Sequence, residues 1–229
     1  MTRFGRLKTI IAGAVLALSL FGAASPASAL SDQQELVDKA RITFDKLISS
    51  SEFSQLPYYV KQSKALIIFP TLVKGGFIVG GEGGSGVLVV RHTTLGWSYP
   101  AFYTLAAGSI GLQIGGQVAE VVFTVMSDRA VDAVLDNQFK FGGDISVAIG
   151  PIGQGLEAST TSNLDADMYQ FAKTSGLFGG MSLEGAGILK RDSWNEAYYG
   201  QGATPYAILM EGKFSNPNAQ TLRDALAPY

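Results

Sequence analysis

Hydrophobic positions along this chain follow two different periods. From residue 31 to about 48 they recur every three or four residues. Leu36, Ala40, Phe44 and Leu47 form one stripe, and Asp32, Glu35, Asp38 and Asp45 mix with Lys39, Arg41 and Lys46 on the other side. That spacing predicts an amphipathic helix with a solvated polar face. Ser31 stands at its N-cap with Gln34 three residues on, the reciprocal capping arrangement. A second short helix is predicted from Leu56-Pro57, because proline suits a first helical turn. It carries Tyr58, Tyr59 and Val60. After Lys64 the period falls to two or the apolar runs become continuous, and β-branched residues dominate. Strands are predicted near 65–69, 76–81, 86–91, 97–105, 109–115, 118–126, 143–149, 154–161, 168–173 and 179–189. Ser127 caps a short internal helix over 128–136, with Val131, Val134 and Leu135 inward. Residues 192–199 read as a turn or short helix closed by Gly200, and a last helix over about 218–226 carries Leu222 and Leu226.

Glycine changes this picture. The chain holds 28 glycines, and 22 of them lie between Gly75 and Gly187. Glycine is costly inside regular elements, so a strand-rich region keeps it at bends, bulges and close backbone approaches. The glycine blocks have no fixed period, which argues against a repeat architecture. The expected fold class is α+β: a glycine-rich, curved antiparallel sheet, barrel-like or a sandwich, with N-terminal helices, one short internal helix and a C-terminal helix. Gly80, Gly81 and Gly111 are expected at bends or close contacts.

The first 29 residues read as a processing signal. Arg3, Arg6 and Lys8 precede an apolar run from Ile10 to Leu20, and Ala27-Ser28-Ala29 is a small-residue cleavage site. The run is short for a membrane span, which needs about 20 residues. No cysteine exists to carry a lipid or a disulfide. The mature protein is therefore expected to be exported, periplasmic or secreted, soluble or peripheral to a membrane. Residues 30–229 are expected to form one domain. Losing residues 1–29 leaves 14 Lys and Arg against 19 Asp and Glu, a formal charge of −5. Such an acidic chain is a poor general partner for nucleic acid.

The residue inventory excludes several chemistries. Gly81-Glu82-Gly83-Gly84-Ser85-Gly86 fits the dinucleotide pattern, but Val87-Leu88-Val89-Val90 follows where a helix is required, so the segment reads as a hairpin turn. His92 is the single histidine, which rules against a nucleophilic triad or a zinc site. Asn163, Asp165 and Asp167 mimic the start of a calcium loop, but Met168 replaces its glycine and Thr174 its glutamate. No carboxylate spacing favours acid–base work. No cofactor, no metal and no enzymatic activity are expected.

One charge feature points to a binding function. From Phe53 to Gly81 the charged residues are Lys61, Lys64 and Lys74, beside Phe53, Tyr58 and Tyr59. Cations with interfacial aromatics suit anionic head groups. These six residues are the candidate lipid-binding set.

Together the blocks carry a resemblance. Lys64-x-x-Ile67-Ile68-Phe69-Pro70, Lys74-Gly75-Gly76-Phe77-Ile78-Val79-Gly80-Gly81 and Gly84-x-Gly86-Val87 resemble the opening signature of the SYLF family. The likeness continues through Gly96-Trp97-Ser98-x-Pro100-Ala101-Phe102, Gly108-Ser109-x-Gly111-x-Gln113-Ile114-Gly115 and Gly150-Pro151-x-Gly153. It ends with Lys173-x-x-Gly176-Leu177-Phe178-x-Gly180, Leu183-Glu184-Gly185 and Asn195-x-x-Tyr198-Tyr199-Gly200. It spans roughly residues 35–227. The resemblance implies a non-enzymatic module for phosphoinositides and related anionic phospholipids, which in eukaryotic members works partly through a basic amphipathic N-terminal segment. Some members also bind and bundle actin, and bacterial members are exported, often as lipoproteins. This chain departs from the pattern: it has no lipidation cysteine, and its first helix carries four acids against three cations. Lys64 and Lys74 fall in matching blocks, whereas Lys61 does not. The alternative function is a self-associating or scaffolding envelope protein with a protein partner.

Overall fold

The computed structural model describes residues 31–76, 79–110, 115–137, 139–141, 143, 145–152, 165–176 and 186–229. The predicted export signal, Gly111, Asn163 and the expected strand at 154–161 lie outside them. Helix α1 (Asp32–Ile48) begins where its cap predicts, with the Ser31 side chain accepting from the Gln34 amide. A 3-10 turn (Ser51–Phe53) leads into α2 (Leu56–Gln62). Five strands follow: β1 (Ala65–Gly76), β2 (Val79–His92), β3 (Gly96–Trp97), β4 (Ala101–Ile110) and β5 (Gly115–Val125). Helix α3 (Asp128–Leu135), capped by Ser127, precedes β6 (Val147–Ile149), β7 (Met168–Gly176) and β8 (Gly187–Lys190). The chain closes with α4 (Asp192–Tyr199), α5 (Pro205–Leu209) and α6 (Gln220–Leu226), the last entered through a 3-10 turn at Pro217–Ala219.

The sheet runs β6-β7-β5-β1-β2-β4-β8, with β3 paired to β2, and curls into a half-barrel. The fold is α+β as expected. All pairs are antiparallel except β6 with β7, which is parallel. Both faces of the central strands are buried, which explains their continuous apolar runs. Ala65, Ile67, Phe69, Leu88 and Phe123 face α3 and α5, against Val131, Val134, Ile208 and Leu209. Leu66, Ile68, Val87, Val89 and Val122 face α1, α2 and α6, against Phe44, Leu47, Val60 and Leu222. Each fully buried side chain of this size stabilises by about 1.5–3 kcal/mol relative to exposure. The core therefore lies in two layers with the sheet between them.

The glycines do a different job from the one expected. Gly81 to Gly86 form no turn: they lie in the middle of the 14-residue strand β2, and the β1–β2 connection falls between Gly76 and Val79. The reason is in β1. Its register breaks between Phe69 and Leu72, at Pro70, which has no amide hydrogen for a ladder. Phe69 and Leu72 consequently face the same side. The bulge presses β1 onto β2. A Cβ at Gly84 would lie 2.1 Å from the Thr71 carbonyl oxygen, and one at Gly86 would lie 2.4 Å from the Phe69 ring. At Gly81, by contrast, the nearest atom to an added Cβ is the Ala107 carbonyl oxygen at 3.8 Å. Gly81 is therefore not a close-contact glycine, contrary to expectation. Gly80 also lies within β2.

Two of the signature blocks bind each other. Asn195, fully buried, accepts from the Phe102 amide at 2.8 Å through Oδ1 and donates to the Arg191 carbonyl at 3.1 Å. The Tyr199 hydroxyl donates to the Pro100 carbonyl at 2.6 Å, and the Tyr198 hydroxyl donates to Gln34 Oε1 at 2.5 Å. Trp97 donates through Nε1 to the Leu226 carbonyl at 3.0 Å. These bonds fasten α4 to the start of β4, α1 to α4, and α6 to β3. Their roles are structural.

Candidate functional site

The candidate residues separate in space. Proline in its first turn starts α2, and Leu56 and Val60 turn inward. That leaves Tyr58 outward, 63% exposed. Tyr59 is half-buried, its ring 4.5 Å from that of Tyr169 and 5.5 Å from that of Phe171. Burial first, then the Tyr169 and Tyr58 hydroxyls, push its phenol above the usual range. Lys61 and Lys64 are exposed at the end of the same helix and just beyond it. The Lys64 ammonium lies 2.7 Å from the exposed Asp128 carboxylate. A cleft of about 420 Å³ opens beside them, lined by Tyr58, Tyr59, Gln62, Ser127, Asp165 and Tyr169 among others.

Two members of the set belong elsewhere. Phe53 is 1% exposed and sits edge-on to Phe171 at 6.1 Å. It packs on the same Phe171 ring that Tyr59 touches and is buried away from the surface. Lys74 stands ten residues along β1 from Lys64, about 30 Å away at ~3.3 Å per residue. It cannot share a patch with the other lysines. Local sequence placed three cations in one stretch; the extended strand pulls the third to the opposite end of the sheet.

There Lys74 has neighbours that sequence reading missed. The register sets it directly opposite Glu82 on β2 and Gln117 on β5. All three side chains therefore point to one face, beside Leu72, Leu105 and Ala119 of the α3-facing core. Glu82 is 6% exposed and Gln117 2%. Glu82 Oε1 and both amide atoms of Gln117 have no hydrogen-bond partner among the described residues. Burial pushes the Glu82 carboxyl up, and the Lys74 ammonium pulls it part of the way back.

Asp167 is no calcium ligand. Its carboxylate accepts from Arg129 Nε at 2.8 Å and Nη2 at 2.5 Å, from Ser127 Oγ at 2.6 Å, and from the Ser146 amide and hydroxyl at 2.9 and 2.8 Å. The Arg129 guanidinium, with these hydroxyl and amide donors, holds it well below the usual carboxylate range. No group of three or more His, Asp or Glu suited to a metal exists among the described residues. The His92 ring lies 2.6 Å from the Leu209 carbonyl, which occupies one of its nitrogens.

Known proteins decide the family. A profile described as "Ysc84: Las17-binding protein actin regulator" matches residues 106–229. The chain belongs to the Ysc84, or SYLF, family. It is 33% identical over 175 residues to SH3 domain-containing YSC84-like protein 1 of Xenopus laevis, covering 76% of this chain and 52% of that protein. It is 35% identical over 173 residues to the Homo sapiens protein of the same name, covering 75% of this chain and 50% of that one. With Protein YSC84 of Saccharomyces cerevisiae it shares 34% over 166 residues, 71% of this chain and 35% of the relative. The chain thus spans about a third to a half of the length of these relatives. One further relative, of Saccharomyces cerevisiae and 33% identical over 166 residues, is named LAS seventeen-binding protein 3.

Proposed function

We propose that this SYLF chain is an exported, non-enzymatic module that docks on anionic phospholipid surfaces through the α2 corner. The observation that carries this reading is Tyr58, a large amphipathic ring 63% exposed beside two exposed lysines. Tyrosine at such a site rests at the head-group level, and each nearby lysine contributes about 1 kcal/mol against anionic lipid. The Lys64–Asp128 pair is exposed and worth little in water, so Lys64 exchanges Asp128 for a phosphate at small cost. Tyr59, wedged on Tyr169 and Phe171, keeps the corner rigid.

Liposome co-sedimentation tests it. Lys61→Gln with Lys64→Gln should weaken binding to anionic vesicles by about 10- to 30-fold, the equivalent of ~2 kcal/mol. Binding should fall as added salt shortens the Debye length from ~30 to ~8 Å. Equal binding to neutral and anionic vesicles, unchanged in the double variant, contradicts the electrostatic mechanism. Intact mass of the exported protein tests the export half, which predicts a chain starting at Leu30; retention of residues 1–29 contradicts it.

A protein partner or self-association is the second reading. Val73 and Val118 lie directly opposite one another, 50% and 45% exposed, beside Gly83 and Gly116. This apolar strip suits another protein surface, in keeping with a relative named LAS seventeen-binding protein 3. Concentration-dependent light scattering without liposome binding would favour it.

A further inference from the structure

The Lys74–Glu82–Gln117 row has no structural justification within the described residues. A buried polar group without a partner costs about 1–3 kcal/mol, and native proteins keep few of them. Here three unpartnered atoms on two residues flank one lysine, in register across three adjacent strands. Lys74 makes no ion pair among the described residues. Replacing Glu82 and Gln117 by apolar residues would remove the cost, since their face already carries Leu72, Leu105 and Ala119.

The chemistry of the row specifies what it lacks. Glu82 Oε1 and Gln117 Oε1 need donors, and Gln117 Nε2 needs an acceptor. A hydroxyl group is both. The half-buried Lys74 ammonium, a compact point charge, needs an oxyanion. Neighbouring strands lie ~4.8 Å apart, so Glu82 and Gln117 are anchored about 10 Å apart with Lys74 midway. That span suits a molecule the size of one sugar ring. We propose that Lys74, Glu82 and Gln117 form a binding site for a hydroxylated oxyanion of monosaccharide size, with the oxyanion on Lys74 and hydroxyl groups on Glu82 and Gln117. The site lies at the opposite end of β1 from the α2 corner and does not depend on lipid binding there.

Calorimetric titration of the whole mature protein tests the proposal with four probes: glucuronate, glucose 6-phosphate, uncharged glucose and acetate. At least one of the two anionic sugars should bind with a Kd of about 1 mM or tighter, and which one binds separates a carboxylate from a phosphate source. Glucose and acetate should each bind at least tenfold more weakly. Lys74→Gln should weaken the anionic sugar at least tenfold, and Lys61→Gln with Lys64→Gln should leave it unchanged. Gln117→Leu should abolish binding while raising the melting temperature, which no purely structural role for Gln117 would do. The proposal is overturned if neither anionic sugar binds up to about 10 mM, which points to a row filled by solvent alone. It is equally overturned if glucose binds as well as its charged analogues, or if Gln117→Leu lowers the melting temperature and leaves binding intact.

Discussion

Gly84→Ala should cost this protein about 3 kcal/mol or more, while Gly81→Ala, three residues earlier, should be neutral or stabilising. The added methyl at Gly84 would stand 2.1 Å from the Thr71 carbonyl oxygen and 2.8 Å from Leu72 Cδ2. The first obstacle is backbone, fixed by the pairing of β1 with both β2 and β5, so it cannot swing aside as a flexible side chain does. Overpacking of this kind typically costs 1–3 kcal/mol and more when backbone must move. Against a total stability of ~5–15 kcal/mol this is a large fraction. Gly86→Ala meets the Phe69 ring at 2.4 Å and the Ile68 carbonyl oxygen at 2.6 Å, and should behave like Gly84→Ala. At Gly81 the backbone is extended and the nearest atom to an added Cβ stands at ordinary contact distance, 3.8 Å, so a methyl should add about 0.4–1 kcal/mol by restricting the unfolded chain. Urea unfolding midpoints measure all three. Equal loss at Gly81 and Gly84 would contradict the bulge account.

Asp167→Asn should have a comparable effect, about 2–4 kcal/mol at neutral pH. The carboxylate is 5% exposed and accepts five hydrogen bonds that join the start of α3 to the entries of β6 and β7. Asparagine turns one acceptor into a donor facing donors and removes the charge of the Asp167–Arg129 pair; breaking a buried pair costs about 3–5 kcal/mol, less where the partner is exposed as Arg129 is. The pH dependence follows from the depressed carboxyl. Its folded pKa lies below its unfolded value of ~3.9, so its contribution is complete above about pH 4–5 and is lost as pH falls through the folded value. The wild type should therefore lose stability towards acid more steeply than Asp167→Asn. Parallel acid limbs for the two proteins would show that Asp167 carries no such linkage.

Elements with a local signal were legible in the sequence. The caps at Ser31 and Ser127, the stripe of α1 and the proline of α2 each specify their own backbone, and the structure places all four as read. What failed were features set by distant residues. The segment from Gly81 to Gly86 resembles a turn because the reason for its glycines, the bulge at Pro70, lies on another strand. The Lys74 row was invisible for the same cause: Glu82 sits in that misread segment, and Gln117 is 43 residues from Lys74, so only the register brings them together. Phe53 was misplaced because an aromatic next to lysines in sequence says nothing about which side of a 3-10 turn it takes. Tyr58 and Lys61 lie near one another because both stand in α2, where one helical turn fixes their spacing.

The central claim, that the α2 corner is the membrane-facing surface, has a direct test. The chain contains no cysteine, so a single cysteine at Lys61→Cys or at Leu189→Cys carries a spin label without ambiguity. Leu189 is 43% exposed on β8, at the far edge of the sheet from α2's partner β7. On anionic vesicles the label at 61 should become immobilised and take on the oxygen accessibility of the head-group region, and the label at 189 should not change. An unchanged label at 61 on vesicles that bind the protein, or equal changes at both sites, would contradict it.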